Sequence, residues 1–217
     1  MNTRIPITIA AVLLILSTGA IAQEVPKIEL AGGYSYVNFN PDISQITSQN
    51  FNGGGGAAVF NLTPLLGIKA DFMGYAVGTG WTNKLTQAGF PVTGSASGNM
   101  FTYMFGPQIK MHRGKFQPFA EGLFGAAHSN GYASILRCIS ATDSTSCNLS
   151  NGHGNNNAFA MEWGGGLDIA LSRTVQIRPV EVDYLYTNFS SNHVARIANS
   201  QNSFKYFAGV NFTFGGK

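Results

Sequence analysis

The strongest restriction on the fold is a two-residue alternation that sets large apolar side chains against polar and charged ones. It is plain in the C-terminal stretch SFKYFAGVNFTFGGK. There Phe204, Tyr206, Val210, Phe212 and Phe214 share a chain that also carries Lys205, Asn211 and Thr213. Successive side chains of a β-strand point to opposite faces, so this pattern reads as a strand with one greasy and one polar face. A soluble sandwich buries such a greasy face in its core, whereas a membrane barrel turns it to lipid.

Eight stretches of this kind follow one another, separated by breakers. In the first, Ile28, Leu30, Tyr34 and Tyr36 oppose Glu29 and Ser35. In the second, Ala58, Phe60 and Leu62 alternate with Val59 and Asn61, and in the third Leu66, Ile68, Ala70 and Phe72 oppose Lys69 and Asp71. The fourth sets Phe101, Tyr103, Phe105 and Ile109 against Thr102, Gln108 and Lys110; the fifth sets Phe124 opposite Glu121. In the sixth, Phe159, Met161, Trp163, Leu167 and Ile169 oppose Glu162 and Asp168. The seventh starts with Val175 and Ile177 and resumes on the same side with Val180, Val182, Tyr184 and Tyr186. That change of parity across Arg178-Pro179 predicts a β-bulge, where proline's missing donor is tolerated. The C-terminal stretch is the eighth.

The connections alternate as well. Short ones lie around Thr63-Pro64, His112-Arg113-Gly114 and Ser172-Arg173. Long ones, rich in Asn, Ser, Thr and Gly, span roughly 40–52, 78–98, 129–156 and 190–202. Short turns at one end and long loops at the other, with an even strand number, describe an up-and-down barrel of the outer-membrane type, with both termini at the short-turn end.

The N-terminal segment MNTRIPITIAAVLLILSTGAIAQ has a basic Arg4, an apolar run from Ile7 to Leu16 and a small-residue Ala20-Ile21-Ala22 close. It reads as a signal peptide over 1–22, leaving a barrel domain over 23–217. Export gives meaning to the two cysteines. Cys138 and Cys147 lie within RCISATDSTSC, where a loop disulfide is expected rather than a metal site. The net charge of only +3, with no basic run, argues against nucleic acid. A mean hydropathy of +0.05 is too low for a bundle of membrane helices and fits strands that are half polar.

Charge placement then orients the faces. Seven of the ten acidic residues fall in the alternating stretches: Glu29, Asp71, Glu121, Glu162, Asp168, Glu181 and Asp183. All lie opposite the large apolar residues, together with Lys69, Lys110, Arg178 and Lys205. An eight-stranded barrel has an interior just wide enough for side chains or one small ligand, so it cannot hold all these rings. Inverted, with rings to lipid and charges to the lumen, the volumes fit, and closure satisfies every backbone group. The expected fold is therefore all-β, an eight-stranded antiparallel up-and-down transmembrane β-barrel. With acids outnumbering bases inside, the charges are expected to share cations, water or protons as core packing. A proton or ion path along Glu121, Glu162, Arg178, Glu181 and Asp183 is the alternative. Tyr34, Tyr36, Tyr75, Trp81, Tyr184, Tyr186 and Tyr206 are expected to form an interfacial aromatic girdle.

The stretches AGGYSYVNF, GKFQPFAEGLFGAA, GGGLDIAL, IRPVEVDYLYTNF and YFAGVNFTFG carry a resemblance to the small OmpA/OmpX-type barrels, the "outer membrane protein beta-barrel domain" proteins of Gram-negative bacteria. The resemblance spans about residues 27–214. It implies location in the cell outer membrane, outer-membrane lipid as surroundings and the barrel-assembly machinery as a partner during biogenesis. That machinery reads an aromatic end; Phe212 and Phe214 match, with Gly215-Gly216-Lys217 following. Some barrels resembling this one act on lipid A through Ser, His and an acid. Here only His128-Ser129 with Glu121 invites that idea, and Glu121 stands seven residues before His128, too far along a strand to orient it. His128, His153 and His193 carry no metal-ligand spacing, and Gly53 to Gly56 lack the helix and base of a phosphate cradle. No enzyme activity, cofactor or metal is therefore expected. The expected role is structural or interactive, through the long loops to an unspecified partner. A narrow channel for ions or small solutes is the alternative, and a soluble lipocalin-like barrel a weaker third.

Overall fold

A computed structural model describes residues 25–40, 48–77, 87, 92–93, 98–130, 147–148, 155–189 and 200–216. The signal segment and Cys138, and with it the expected disulfide, lie outside the described residues, as do Trp81, His153 and His193.

Each alternating stretch forms a strand: β1 (Ile28–Phe39), β2 (Gln49–Asn61), β3 (Leu66–Val77), β4 (Gly98–Lys110), β5 (Phe116–Asn130), β6 (Asn155–Ala170), β7 (Val175–Asn188) and β8 (Ser200–Phe214). Neighbours in sequence pair antiparallel, and β8 returns to β1 with Ile28 opposite Phe214 and Tyr36 opposite Tyr206, closing an eight-stranded barrel. Closure leaves no unpaired edge, which lipid would not tolerate. A two-residue parallel pairing, Val92–Thr93 with Cys147–Asn148, joins the β3–β4 and β5–β6 connections.

The short turns are set by local chemistry. Thr63 Oγ1 accepts hydrogen bonds from the amides of Leu65 and Leu66, and Ser172 Oγ accepts from those of Thr174 and Val175. These side chains stand in for backbone acceptors in the turn. In the β4–β5 turn Gly114 has φ 73°, a left-handed conformation that glycine adopts without a Cβ penalty.

The bulge expected in β7 is present. Against β8, Glu181 pairs with Phe207 but Arg178 with Gly209; against β6, Val180 pairs with Leu167 but Ile177 with Ile169. The extra residue on β7 reverses its parity, so Arg178 and Glu181, three apart, both point inward.

The faces sort as charge placement requires. Outside stand Phe60, Phe72, Phe105, Phe116, Phe124 and Phe159, each about half exposed or more, and aromatic pairs run across strands, such as Trp163 on Tyr184 at 4.7 Å. Inside, all seven strand acids and all four strand bases are 7% exposed or less. Two expectations need correction. Tyr75 is not in the girdle: it is 2% exposed, shares the inner face of β3 with Lys69 and Asp71, and its hydroxyl lies 3.0 Å from Ser35 Oγ. A period of two fixes that side, and its ring outweighed its position near a strand end. The lumen also holds more rings than expected, including Phe39, Phe51, Phe119 and Phe207.

Glycine governs the spacing around β2. A Cβ on Gly53 would lie 2.0 Å from the Gly74 carbonyl oxygen, and one on Gly55 2.0 Å from that of Phe72. The run Gly53 to Gly56 thus serves close backbone approach.

Candidate functional site

The charged residues singled out from the sequence converge on one feature, the lumen. It is built in three layers along the barrel axis, and strand pairing sets the level of each side chain.

The middle layer is an ion-pair network. Lys69 on β3 donates to Glu121 Oε1 on β5 at 2.6 Å and to Glu181 Oε1 on β7 at 3.2 Å. Lys205 on β8 donates to Glu162 on β6 and lies 3.2 Å from Asp183 Oδ2 and 3.4 Å from Glu181 Oε1. Arg178 holds Asp168 in a fork, with Nε to Oδ1 at 2.7 Å and Nη2 to Oδ2 at 2.9 Å, and gives Nη1 to Glu181 Oε2 at 2.6 Å. Two-point geometry of this kind is what a guanidinium offers and an ammonium does not. The guanidinium also sits 4.3 Å over the Phe119 ring, which explains why that aromatic faces inward. Asp71 is held only by proximity. Its Oδ2 is 3.5 Å from Lys69 Nζ and 3.7 Å from Lys205 Nζ, and neither of its oxygens has a hydrogen-bond partner.

Acids outnumber bases here, and sharing is how the lumen accommodates them: Lys69, Lys205 and Arg178 each serve more than one carboxylate. Glu121, Glu162, Glu181 and Asp183 bring oxygens within 4.8 Å of one another, with the two lysine ammonium groups in contact with them. The arrangement is that of four carboxylates sharing two lysines, with Glu162 Oε2 and both Asp183 oxygens left without a hydrogen-bond partner.

The layer at the short-turn end is a second network centred on Glu29. Lys110 donates to Glu29, to Asp168 Oδ2 at 2.7 Å and to Gln176 Oε1 at 3.0 Å. Asn61 and Asn211 donate to Glu29 at 2.9 and 2.7 Å. His112, from the β4–β5 turn, lies with Nε2 2.8 Å from Glu29 Oε1 and Nδ1 3.0 Å from the Pro64 carbonyl. Sequence reading treated His112 as a turn residue only. No spacing signal marks it, because its partner is 83 residues away.

The layer at the long-loop end is mixed, with apolar side chains packed beside buried Ser129, Thr187, Gln201 and Ser203. Val37, Phe39, Phe51, Met100, Leu185 and Phe189 are each 2% exposed or less, with Phe39 stacked on Phe51 at 5.1 Å. Buried side chains thus occupy the lumen of the described barrel from the long-loop end to the Glu29 layer, beyond which a cavity lined by His112, Gln117, Gln176 and Thr213 opens at the short-turn mouth.

The residues weighed for catalysis do not assemble. His128 lies on the outer side of β5, with Nδ1 2.6 Å from Asn157 Oδ1, while Ser129 is buried on the inner side. Glu121 is inside too, engaged by Lys69 and Gln108.

No protein-family model and no curated protein matches the sequence. Solved structures do share its architecture. The likeness to Neisserial surface protein A (NspA) covers 87% of this chain and 97% of that one, with a TM-score of 0.57 at 10% identity. The chain has the fold of the small outer-membrane barrels. The likeness to Ail, the attachment invasion locus protein of Yersinia pestis, solved with the heparin analogue sucrose octasulfate, covers 88% of this chain and 99% of that one, with a TM-score of 0.53 at 10% identity. The eight-stranded transmembrane barrel is therefore a fold that this chain shares with these proteins, and in this chain the rings face outward and the ionic groups line the lumen.

Proposed function

We propose that this chain is an integral protein of the cell outer membrane, exported by residues 1–22 and inserted by the barrel-assembly machinery, that acts without catalysis by presenting its long loops to an external partner. One observation carries the reading: paired charges and other buried side chains occupy the lumen, while the long-loop end bears the four long polar connections. A barrel closed along its axis has its outer surface and loops left for function. Aqueous porin channels take about sixteen strands, twice the number here. The attachment and invasion in the name of Ail, and its complex with a heparin analogue, support this reading.

The test compares cells displaying the intact chain with cells displaying one whose connections at 78–97 and 131–154 are replaced by short turns. Adherence to immobilised matrix and sulfated glycans is expected from the first and lost from the second. Equal adherence by both ends the proposal. The runner-up, a narrow channel, draws on the continuous run of ionic groups from Glu29 to Lys205. Liposome swelling and planar-bilayer conductance are expected to show no transport; conductance that changes with Glu162→Gln or Asp183→Asn would favour the channel.

A further inference from the structure

We propose that the rim at the short-turn end binds the phosphates of anionic phospholipids in the leaflet that surrounds it. Among the described residues every acidic side chain is buried in the lumen, and the exposed bases are Lys27, Arg113, Lys115 and Arg173. All four sit at the short-turn end: Lys27 just before β1, Arg113 and Lys115 in the β4–β5 turn, and Arg173 in the β6–β7 turn. None of the four makes an ion pair with a described residue. The rim is a cationic collar with no exposed described acid to neutralise it.

Lys115 and Arg173 also line the cavity at the barrel mouth, and it is the apolar neighbours of all four cations that point to lipid rather than to a soluble anion. Each cation lies within two residues of an outward apolar side chain: Lys27 beside Ile28, Arg113 near Met111, Lys115 beside Phe116, and Arg173 near Leu171. Those four are 43%, 55%, 61% and 60% exposed, so they mark where the acyl-chain belt ends. A lysine or arginine one step beyond that boundary lays its stem on apolar surface and carries its charge to phosphate depth. Basic residues at this depth draw anionic headgroups. The β2–β3 turn, Leu62–Leu65, carries no base, so the collar covers the remaining sectors of the rim.

The proposal depends on the transmembrane barrel and is independent of what the loops contact. Its test uses the full mature chain carrying Trp81→Phe, Trp163→Phe and Leu171→Trp, which puts one reporter at the rim. It is folded into phosphatidylcholine bilayers containing a minor share of brominated phosphatidylglycerol or brominated phosphatidylcholine. The anionic quencher is expected to be preferred about threefold at low salt, with the preference lost at high salt. Adding Lys27→Gln, Arg113→Gln, Lys115→Gln and Arg173→Gln is expected to abolish it while the gel-shift signature of the folded barrel persists. Equal quenching by both lipids, or a preference that survives the four substitutions, overturns the proposal. Inorganic phosphate that removes the preference more strongly than chloride of equal ionic strength also overturns it, because a soluble anion would then occupy the barrel mouth. The chain without the reporter supplies a second measurement: its midpoint of thermal unfolding is expected to rise with phosphatidylglycerol content, and the rise to vanish with the four substitutions.

Discussion

Lys69 shows how a buried charge is made tolerable in a lumen lined by other ionic groups. Its ammonium has no exposed surface and touches Glu121, Glu181 and Asp71. Replacing a buried ion pair by apolar groups is often harmless, whereas removing a single partner strands the others. Lys69→Met is therefore expected to cost on the order of 3–5 kcal/mol, read by urea unfolding in lipid vesicles. Asp71→Asn is expected to cost about 1 kcal/mol or less, because no hydrogen bond is lost and the excess of acid is reduced. Equal losses for the two would show that the network does not discriminate between its members as their contacts indicate. Tyr75 and His112 belong with these residues: each is a large polar side chain whose inner partner, Ser35 or Glu29, comes from a distant strand.

In β7 one extra residue decides what lipid meets. With the bulge, Gln176 and Arg178 before it and Glu181 and Asp183 after it all face the lumen. Deleting Val180 removes the extra residue and leaves Arg178 and Glu181 two apart, so all four side chains stay inward; pairing without the bulge and with every residue kept would instead turn the charges of one half outward. An arginine at the bilayer midplane costs about 2–4 kcal/mol, with the lumen pairs lost besides. Deletion of Val180 and the substitution Pro179→Ala are therefore both expected to keep the compact band on unheated gels, whereas loss of the band in the deletion alone would show that the bulge itself, and not the parity it sets, is required. β2 makes a steric demand instead. Gly55→Val drives a side chain onto the Phe72 carbonyl and is expected to destabilise by about 1–3 kcal/mol or more, while Gly122→Ala, with no atom within 4 Å of the added Cβ, is expected to be nearly silent in the same unfolding assay.

The barrel as a unit predicts where its tryptophan sits. Trp163 is 44% exposed on the outer face, stacked on Tyr184. In a Trp81→Phe background its emission is expected to be blue-shifted and quenched by brominated acyl chains. A mature chain that stays monodisperse without detergent and ignores such lipids would mean that the rings pack into a water-soluble core.

Alternation and the parity of the acidic residues were enough, from the sequence, to assign strand number, turn ends, the inner and outer faces and the β7 bulge. Those features repeat every two residues and need no knowledge of distant neighbours. Cross-lumen partners are a different matter. That Lys69 meets Glu121 and Glu181, that Phe119 lies under Arg178, and that His112 reaches Glu29 depend on how far each strand is staggered against the next when the sheet closes. Tyr75 was misplaced for a related reason: its ring fits a girdle by type, and only the closed interior supplies the Ser35 hydroxyl that makes burial favourable. Local pattern determined the face of each side chain; closure of the cylinder determined its company, because register around a ring is a property of all eight strands together.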